Sequence, residues 1–162
     1  MNELVSYKSS NLSVSDAREN GDYDLYDANT IIGKTNETPI KNPYISIIKD
    51  GAGVGRIRKL PKNTLYIGTM GGMEPKNSDL DFVFALLNRY DLSAGYSGST
   101  IPHIYFKDYG NYIYSIPKIN EQKEIGDLFN SIDNLITLHQ RKFVYLVKYG
   151  QKSHYLIYIF IF

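Results

Sequence analysis

The spacing of apolar residues divides the chain into two parts near residue 117. Before this point, short runs that alternate or stop at glycines predict strands, as in 44–49 and 56–60. Segment 80–90 has apolar positions three and four apart and predicts one helix. After residue 117 the spacing is that of a single long helix. The pattern predicts an α+β protein, in which a compact twisted-sheet domain is followed by a long C-terminal coiled-coil helix.

The long helix carries a seam whose members are alternately four and three residues apart. Pro117 suits the turn before the helix, and Asn120 is the predicted N-cap. A helix of about seven turns is longer than a compact domain needs, which favours an exposed helix that meets a partner. Packing against its own domain is the alternative. The seam, and hence the predicted partner surface, comprises Ile125, Phe129, Ile132, Ile136, His139 and Phe143.

Three segments follow from these patterns: a domain at 1–117, a helix at 118–149 and an atypical apolar tail at 150–162. Gly150 disfavours continuation of the helix, and the tail after it is rich in β-branched and aromatic residues. Its continuous apolar run covers only 155–162, which is far shorter than the 18 or so residues that span a membrane. We therefore expect no membrane association.

Composition narrows the class of protein. The chain has 162 residues, which predicts one domain with an appendage, and it contains no cysteine. Disulfides and thiolate metal sites are thereby excluded, and with a polar N-terminus the cytoplasm is the expected compartment. The three histidines, His103, His139 and His154, are far apart and have no carboxylate at metal-ligand spacing. We expect no metal and no cofactor.

The net charge is only +1, but the charges are unevenly distributed. Segment 34–62 contains seven basic and two acidic residues, enough to neutralise several phosphates. A solvated strand face is the alternative interpretation. The loop 96–103 offers hydroxyls and an imidazole that can donate to or accept from base edges, although a self-stabilised turn would look the same. The predicted DNA-binding residues are Lys34, Lys41, Lys49, Arg56, Arg58, Lys62, Ser97, Ser99, Thr100 and His103.

Catalytic motifs are nearly absent. The glycines of segment 50–55 lack the spacing of a dinucleotide loop and precede a strand, so they indicate a tight turn. Asp50, Glu74 and Lys76 are a weak match to a nuclease site. The sequence favours a protein that recognises a partner, not an enzyme.

An ordered set of motifs carries a resemblance. It runs through residues 45–56, 68–71, 98–107, the pair Ile116-Pro117 with Glu121-Gln122 and Ile125-Gly126, and finally 132–142. In this order, over roughly residues 3–146, the chain resembles the specificity subunit of type I restriction–modification systems. It has one recognition unit and one helix, which is half of that family's usual design.

The resemblance implies a non-catalytic subunit that binds double-stranded DNA through a target-recognition domain at 1–117. A spacer helix would follow at 118–149 and dock methyltransferase subunits, and the restriction subunit would join that assembly. S-adenosylmethionine would be bound only by the partner methyltransferase. Two copies would form a homodimer through the C-terminal helix and read a split site. The tail after Phe143 departs from the family pattern. A protein-interaction module without DNA binding, and a silent truncated cassette, are the alternatives.

Overall fold

The computed structural model describes residues 1–94, 97 and 100–150, and side chains as far as residue 145. A sheet-containing head precedes one long helix, which confirms the predicted α+β class. The strands in the described part are β1 Val5–Ser9, β2 Tyr23–Tyr26, β3 Ile31–Thr35, β4 Tyr44–Ile48, β5 Ile57–Leu60, β6 Thr64–Tyr66 and β7 Met70–Pro75. The α-helices there are α1 Leu80–Asn88, α2 Phe106–Tyr109 and α3 Ile119–Gly150.

The larger sheet is antiparallel, with the strand order β1-β7-β4-β5. Strand β4 lies inside it and is buried along its whole length. Successive side chains of a strand point to opposite faces, so Ile45 and Ile47 face one core and Tyr44 faces another. The continuous apolar run of this segment therefore reflects a strand covered on both sides.

A smaller sheet covers one face of the larger one. Its order is β3-β2-β6, with β2 antiparallel to β3 and parallel to β6. Aromatic side chains fill the layer between the sheets, which accounts for part of the high tyrosine content. The buried residues of this layer are Tyr26, Tyr44, Leu60, Tyr66 and Met70.

Two tyrosines in this layer are buried with partners for their hydroxyls. The Tyr44 hydroxyl lies 3.2 Å from Thr64 Oγ1, and the Tyr66 hydroxyl donates to the Lys8 carbonyl at 2.7 Å. Burial raises the pKa of Tyr44 to about 12, and it also raises the pKa of Tyr66. Burial without such partners would be costly, so these hydroxyls fix the relative position of the two sheets.

Helix α1 covers the opposite face of the larger sheet. Its buried side chains Phe82, Val83 and Leu87 pack in the same cluster as Ile45 and Ile47. The Asp79 carboxylate caps the helix by accepting from the Phe82 N–H at 2.9 Å. The predicted segment 80–90 therefore agrees with α1 to within two residues.

The start of α3 differs from the prediction. The helix begins at Ile119, and the Gln122 N–H donates to the Lys118 carbonyl at 2.9 Å. This bond closes the first turn on Lys118, so Asn120 lies inside the helix and the predicted Asn120 cap is wrong. The apolar tail predicted from residue 150 onwards lies, apart from its first residue, outside the described residues.

Candidate nucleic-acid interface

The predicted basic residues divide into two groups at opposite ends of the β4–β5 hairpin. Tyr44 pairs with Leu60 at the open end, and Ile47 pairs with Ile57 near the closed end. The five residues of β4 span about 17 Å, since a strand rises about 3.3 Å per residue. Lys41 and Lys62 adjoin the open end, whereas Lys49 and Arg56 belong to the closed end. The sequence had suggested one continuous band.

Three loops meet at the closed end, and we call residues 27–30, 49–56 and 100–104, with Ser97, the three-loop surface. The Gly51 N–H donates to the Pro102 carbonyl at 2.9 Å, and the Ile104 N–H donates to the Lys49 carbonyl at 3.0 Å. These bonds join the β4–β5 turn to the segment before α2. The third loop, residues 27–30, is joined to the β4–β5 turn by the side chain of Arg56.

Arg56 and Arg58 hold the turn between β2 and β3. Arg56 Nη2 donates to the Ala28 carbonyl at 2.8 Å and to Asn29 Oδ1 at 2.7 Å. Arg58 Nη1 donates to the Asn29 carbonyl at 2.8 Å, and its guanidinium lies 5.2 Å from the centre of the Tyr26 ring. Arg56 remains exposed, whereas Arg58 is half-buried. Both side chains therefore shape the surface, and Arg56 also presents positive charge on it.

Lys49 and His103 are paired as well. Lys49 Nζ lies 3.8 Å from Asp50 Oδ2, and the other oxygen of Asp50 contacts His103 Nδ1. The His103 ring also packs edge-on against the Tyr105 ring, with centroids 4.1 Å apart. The carboxylate of Asp50 thus compensates positive charge at this point, and His103 tethers its loop to the β4–β5 turn.

The polar loop before His103 is only partly described. Ser97 and His103 exchange two backbone hydrogen bonds of 2.9 Å, and both Ser97 and Thr100 are exposed. Ser99, the remaining predicted reader in this loop, lies outside the described residues. Ser97 and Thr100 therefore have the exposure that base reading requires.

The glycines of the β4–β5 turn adopt the conformation that the sequence interpretation requires. Gly51, Gly53 and Gly55 have φ of 84°, 83° and 85°. These values lie in the left-handed region that favours glycine. The turn reverses the chain between two strands, with its own Gly55 N–H donating to the Ile48 carbonyl at 2.8 Å.

The open end carries the more accessible cations. Lys41 and Lys62 are exposed, and their neighbours are paired: the Asn63 N–H donates to the Ile40 carbonyl at 2.7 Å. Lys34, on the edge strand β3, is also exposed and lies 3.7 Å from Asp24. In the register of the smaller sheet, Thr64 and Lys34 both lie opposite Asp24, on either side of it. These three lysines are thus presented at the same end of the smaller sheet.

Helix α3 is fixed to the head by its first two turns. The buried Gln122 side chain accepts from the Asp79 N–H at 3.1 Å and donates to the Pro117 carbonyl at 2.9 Å. A Cβ at Gly126 would lie 2.5 Å from Asp79 Oδ1 and 2.9 Å from the Phe82 nitrogen. Only glycine allows this approach, which explains the Gln and Gly of the motif that the sequence singled out.

Lys59 adds a second attachment that the sequence did not reveal. Its ammonium lies 2.5 Å from Asp81 Oδ1 on α1 and 3.2 Å from Asn130 Oδ1 on α3. The charge that had been grouped with the basic band therefore joins β5 to both helices. It takes no part in the surface that carries the other cations.

Beyond residue 130, α3 leaves the head. Ile125 is half-buried against the head core, but the later seam residues are exposed: Phe129, Ile132, Ile136, His139 and Phe143. Ile136 has an exposed fraction of 49% and Phe143 one of 68%. An apolar stripe of this length is typical of a surface that binds another helix. Leu128, Leu135 and Leu138 broaden it.

The residues of the weak nuclease match are not brought together. The Asp50 N–H donates to the carbonyl of Thr69, so these two residues are neighbours. Glu74 follows Thr69 by five residues along the strand, a distance of about 17 Å. Glu74 instead pairs with Lys8 at 2.6 Å. Among the described residues there is no group of three His, Cys, Asp or Glu side chains that could hold a metal ion.

Sequence reasoning missed Asn29 and Asp27. The Asp27 carboxylate accepts from the N–H groups of Asn29 and Thr30 at 2.7 and 2.6 Å, which shapes the turn held by the two arginines. The segment Asp-Ala-Asn-Thr is a recognisable turn signal. Its contact with residues 56–58 is not readable from sequence.

Comparison with known proteins identifies relatives for nearly the whole described chain. The family model of the type I restriction modification DNA specificity domain matches residues 2–144. A type I restriction enzyme MjaVIII specificity subunit from Methanocaldococcus jannaschii is 31% identical over 114 residues, which is 67% of this chain and 27% of that protein.

Two solved structures share the fold. The S subunit of a type I restriction–modification system from M. genitalium matches with a TM-score of 0.59 and 19% identity, over 93% of this chain and 41% of that one. A chain from a study of complex assembly and conformational transition in the type I R-M system matches with a TM-score of 0.68 and 15% identity, over 86% and 38%.

The chain therefore spans about a quarter of the curated relative and about two fifths of the solved chains. Within the described residues, no helix is long and apolar enough to cross a membrane. The match over residues 2–144 covers most of the sequence. The protein belongs to the family of type I restriction modification DNA specificity domains.

Proposed function

We propose that the chain is the sequence-specific DNA-binding specificity subunit, or half-subunit, of a type I restriction–modification system. It directs methyltransferase and restriction subunits to one half of a bipartite DNA target. The observation that carries the proposal is the arrangement within the family match: one head, joined firmly to one helix whose outer part is exposed.

DNA binding divides between the two ends of the β4–β5 hairpin. Lys34, Lys41 and Lys62 contact phosphates, which position the protein without reading sequence. The three-loop surface, with Arg56 and the polar loop before His103, approaches base edges in the major groove. Exposed cations at both ends of a hairpin about 17 Å long support this division, since DNA carries about one charge per 1.7 Å of axis.

The salt dependence of binding tests this assignment. Replacing Lys41 and Lys62 together by alanine should reduce the slope of log K against log salt by about two, one for each lost phosphate contact. Replacing Lys118 and Lys123 together by alanine is the matched control, because it removes the same two charges at exposed positions away from the proposed surface. An unchanged slope in the double variant would contradict the placement of the phosphate contacts.

Helix α3 provides the surface that binds a partner, and we propose that two copies of the chain pair through it as an antiparallel homodimer. Phe129 and Phe143 lie seven residues on either side of Ile136, so an antiparallel pair centred on Ile136 matches phenylalanine with phenylalanine. Segment 119–135 contains four acidic residues and one basic residue, whereas segment 137–150 contains basic residues and no acidic ones. Antiparallel pairing places opposite charges together and the two heads at opposite ends.

The chemistry of the complex belongs to other subunits. The methyltransferase subunit binds S-adenosylmethionine, and this chain, working in the cytoplasm, contributes no catalytic group. An interaction module without DNA binding would keep the dimer and lose salt-dependent binding. A silent cassette would associate with no methyltransferase subunit. Salt-dependent DNA binding and co-purification with that subunit therefore separate the three functions.

A further inference from the structure

The turn between β2 and β3 carries an exposed asparagine at its tip. Asn29 follows Ala28 in a turn closed by the Asp27 N–H, which donates to the Thr30 carbonyl at 2.9 Å. The Asp27 carboxylate also accepts from two backbone N–H groups of the turn. The backbone of Asn29 is thereby held in place.

The orientation of the Asn29 amide is also fixed. A guanidinium has donors only, so the atom that faces Arg56 at 2.7 Å must be the carbonyl oxygen Oδ1. The nitrogen Nδ2 therefore points away from Arg56, on an exposed side chain, with two N–H donors to offer. Arg58 holds the backbone carbonyl of the same residue from a position 29 residues away in the chain. Arg56 thus fixes the side chain of Asn29, and Arg58 fixes its backbone.

This arrangement discriminates between bases. An asparagine that reads adenine uses both its oxygen and its nitrogen, but the oxygen of Asn29 is already bonded to Arg56. One of the two lone pairs of that oxygen is thus occupied, and the groups still unbonded are mainly donors, namely the Nδ2 N–H groups of Asn29 and the remaining N–H groups of Arg56. Guanine alone presents two adjacent acceptors, O6 and N7, in the major groove. An amide that is ordered before binding also loses less conformational entropy on contact.

We propose that Asn29 is a specificity-determining residue that donates from Nδ2 to the O6/N7 edge of a guanine, with Arg56 as the positioning residue that orients its amide. This inference rests on the proposed DNA-reading function. Arg56 still has Nε and Nη1 with no acceptor among the described residues, so it places positive charge beside the contact.

Asn29→Asp separates reading from support. Aspartate keeps an oxygen for Arg56, so the melting temperature stays the same or rises, but it replaces the donor by an acceptor. Selection of binding sites from a randomised DNA duplex library, with the full chain and its methyltransferase subunit, should show lost preference for guanine at one position. Affinity for the wild-type site should fall about 10- to 100-fold. Thr30→Asp adds the same charge one residue away and should weaken all sites equally.

A second measurement acts on the DNA alone. Replacing the implicated guanine by 7-deazaguanine, which lacks N7, should weaken binding of the wild-type protein and leave Asn29→Asp binding unchanged. If Asn29→Asp selects the same sites as the wild type, or if 7-deazaguanine weakens both proteins equally, the reading role of Asn29 is overturned. If the wild-type complex selects no sequence at all, the proposed function itself fails, and the two failures are thus distinguishable.

Discussion

Gly51 and Gly55 share a left-handed backbone, with φ of 84° and 85°, but their surroundings differ. A Cβ added at Gly51 meets nothing within 4 Å, whereas one at Gly55 lies 2.7 Å from the Ser93 nitrogen. The first position needs glycine for conformation alone. The second also needs it so that the segment after α1 can approach the β4–β5 turn.

The pair of alanine variants separates these two causes. Gly51→Ala should lower the free energy of unfolding by about 1–2 kcal/mol, the cost of a left-handed non-glycine residue. Gly55→Ala should cost more, because the Ser93 backbone must also move. Chemical denaturation measures both, and equal losses in the two variants would contradict the close approach to Ser93.

Buried tyrosines make stability sensitive to alkaline pH. Burial raises the pKa of Tyr44 and Tyr114 to about 12 and also raises the pKa of Tyr7, Tyr66 and Tyr109. An unfolded tyrosine has a pKa of about 10. The folded state therefore favours the neutral phenol, and this contribution is complete below pH about 10 and is lost as the pH rises towards 12.

We expect the free energy of unfolding to fall above pH about 10, with late tyrosinate absorbance appearing together with loss of circular dichroism. Titration of Tyr44 and Tyr114 near pH 10 in a protein that stays folded would contradict the burial of these rings.

At the scale of elements, one buried side chain bonds the head to the first turn of α3. Gln122 is buried and bonds to the Asp79 N–H and the Pro117 carbonyl. Gln122→Ala leaves both groups without these partners and should lower the free energy of unfolding by about 1–3 kcal/mol. Gln140→Ala, at an exposed position of the same helix, should change it by less than about 0.5 kcal/mol. Similar losses in the two variants, measured by denaturation, would show that the junction is not held by Gln122.

The exposed part of α3 makes a prediction about assembly. Ile136→Lys places a charge at the centre of the proposed antiparallel seam, whereas Asn134→Lys places it on the far side of the helix. Sedimentation should show that the first variant shifts the protein to a monomer and that the second does not. A monomeric wild-type protein at the same concentration would contradict the proposed homodimer.

The sequence predicted the elements that have a local signal. Strand β4 was found as a short apolar run before a glycine turn, strand β5 by alternation and helix α1 by apolar positions three and four apart. The motif at residues 121–126 marked the start of α3. The smaller sheet was not assigned strand by strand, since its strands are short and one is interrupted by a register shift at Leu25. Pairing between segments far apart in the chain has no local signal.

The lack of a local signal for long-range contacts also explains why the site was predicted only in part. Lys41 and Lys62 were predicted to contact phosphates, which stays a prediction, and both are exposed. The partners of Arg56 and Arg58 lie 27 to 29 residues earlier in the chain, and Lys59 contacts Asn130, 71 residues later. Charge counting locates a basic segment but not which of its members are already paired.

At the scale of the whole molecule, Gln122 and Gly126 join the head to helix α3. The head has its accessible lysines at one end and the three-loop surface at the other, and the helix carries an exposed seam. The proposed roles of the head and of helix α3 both require that the chain selects the DNA sites that a methyltransferase subunit modifies.

The most direct test is to map methylated adenines in DNA from cells that express the methyltransferase subunit with and without this chain. The account predicts that the two proteins co-purify and that methylation appears at one defined sequence only when the chain is present. Methylation at the same sites without the chain, or no methylation when both proteins are present, would contradict it.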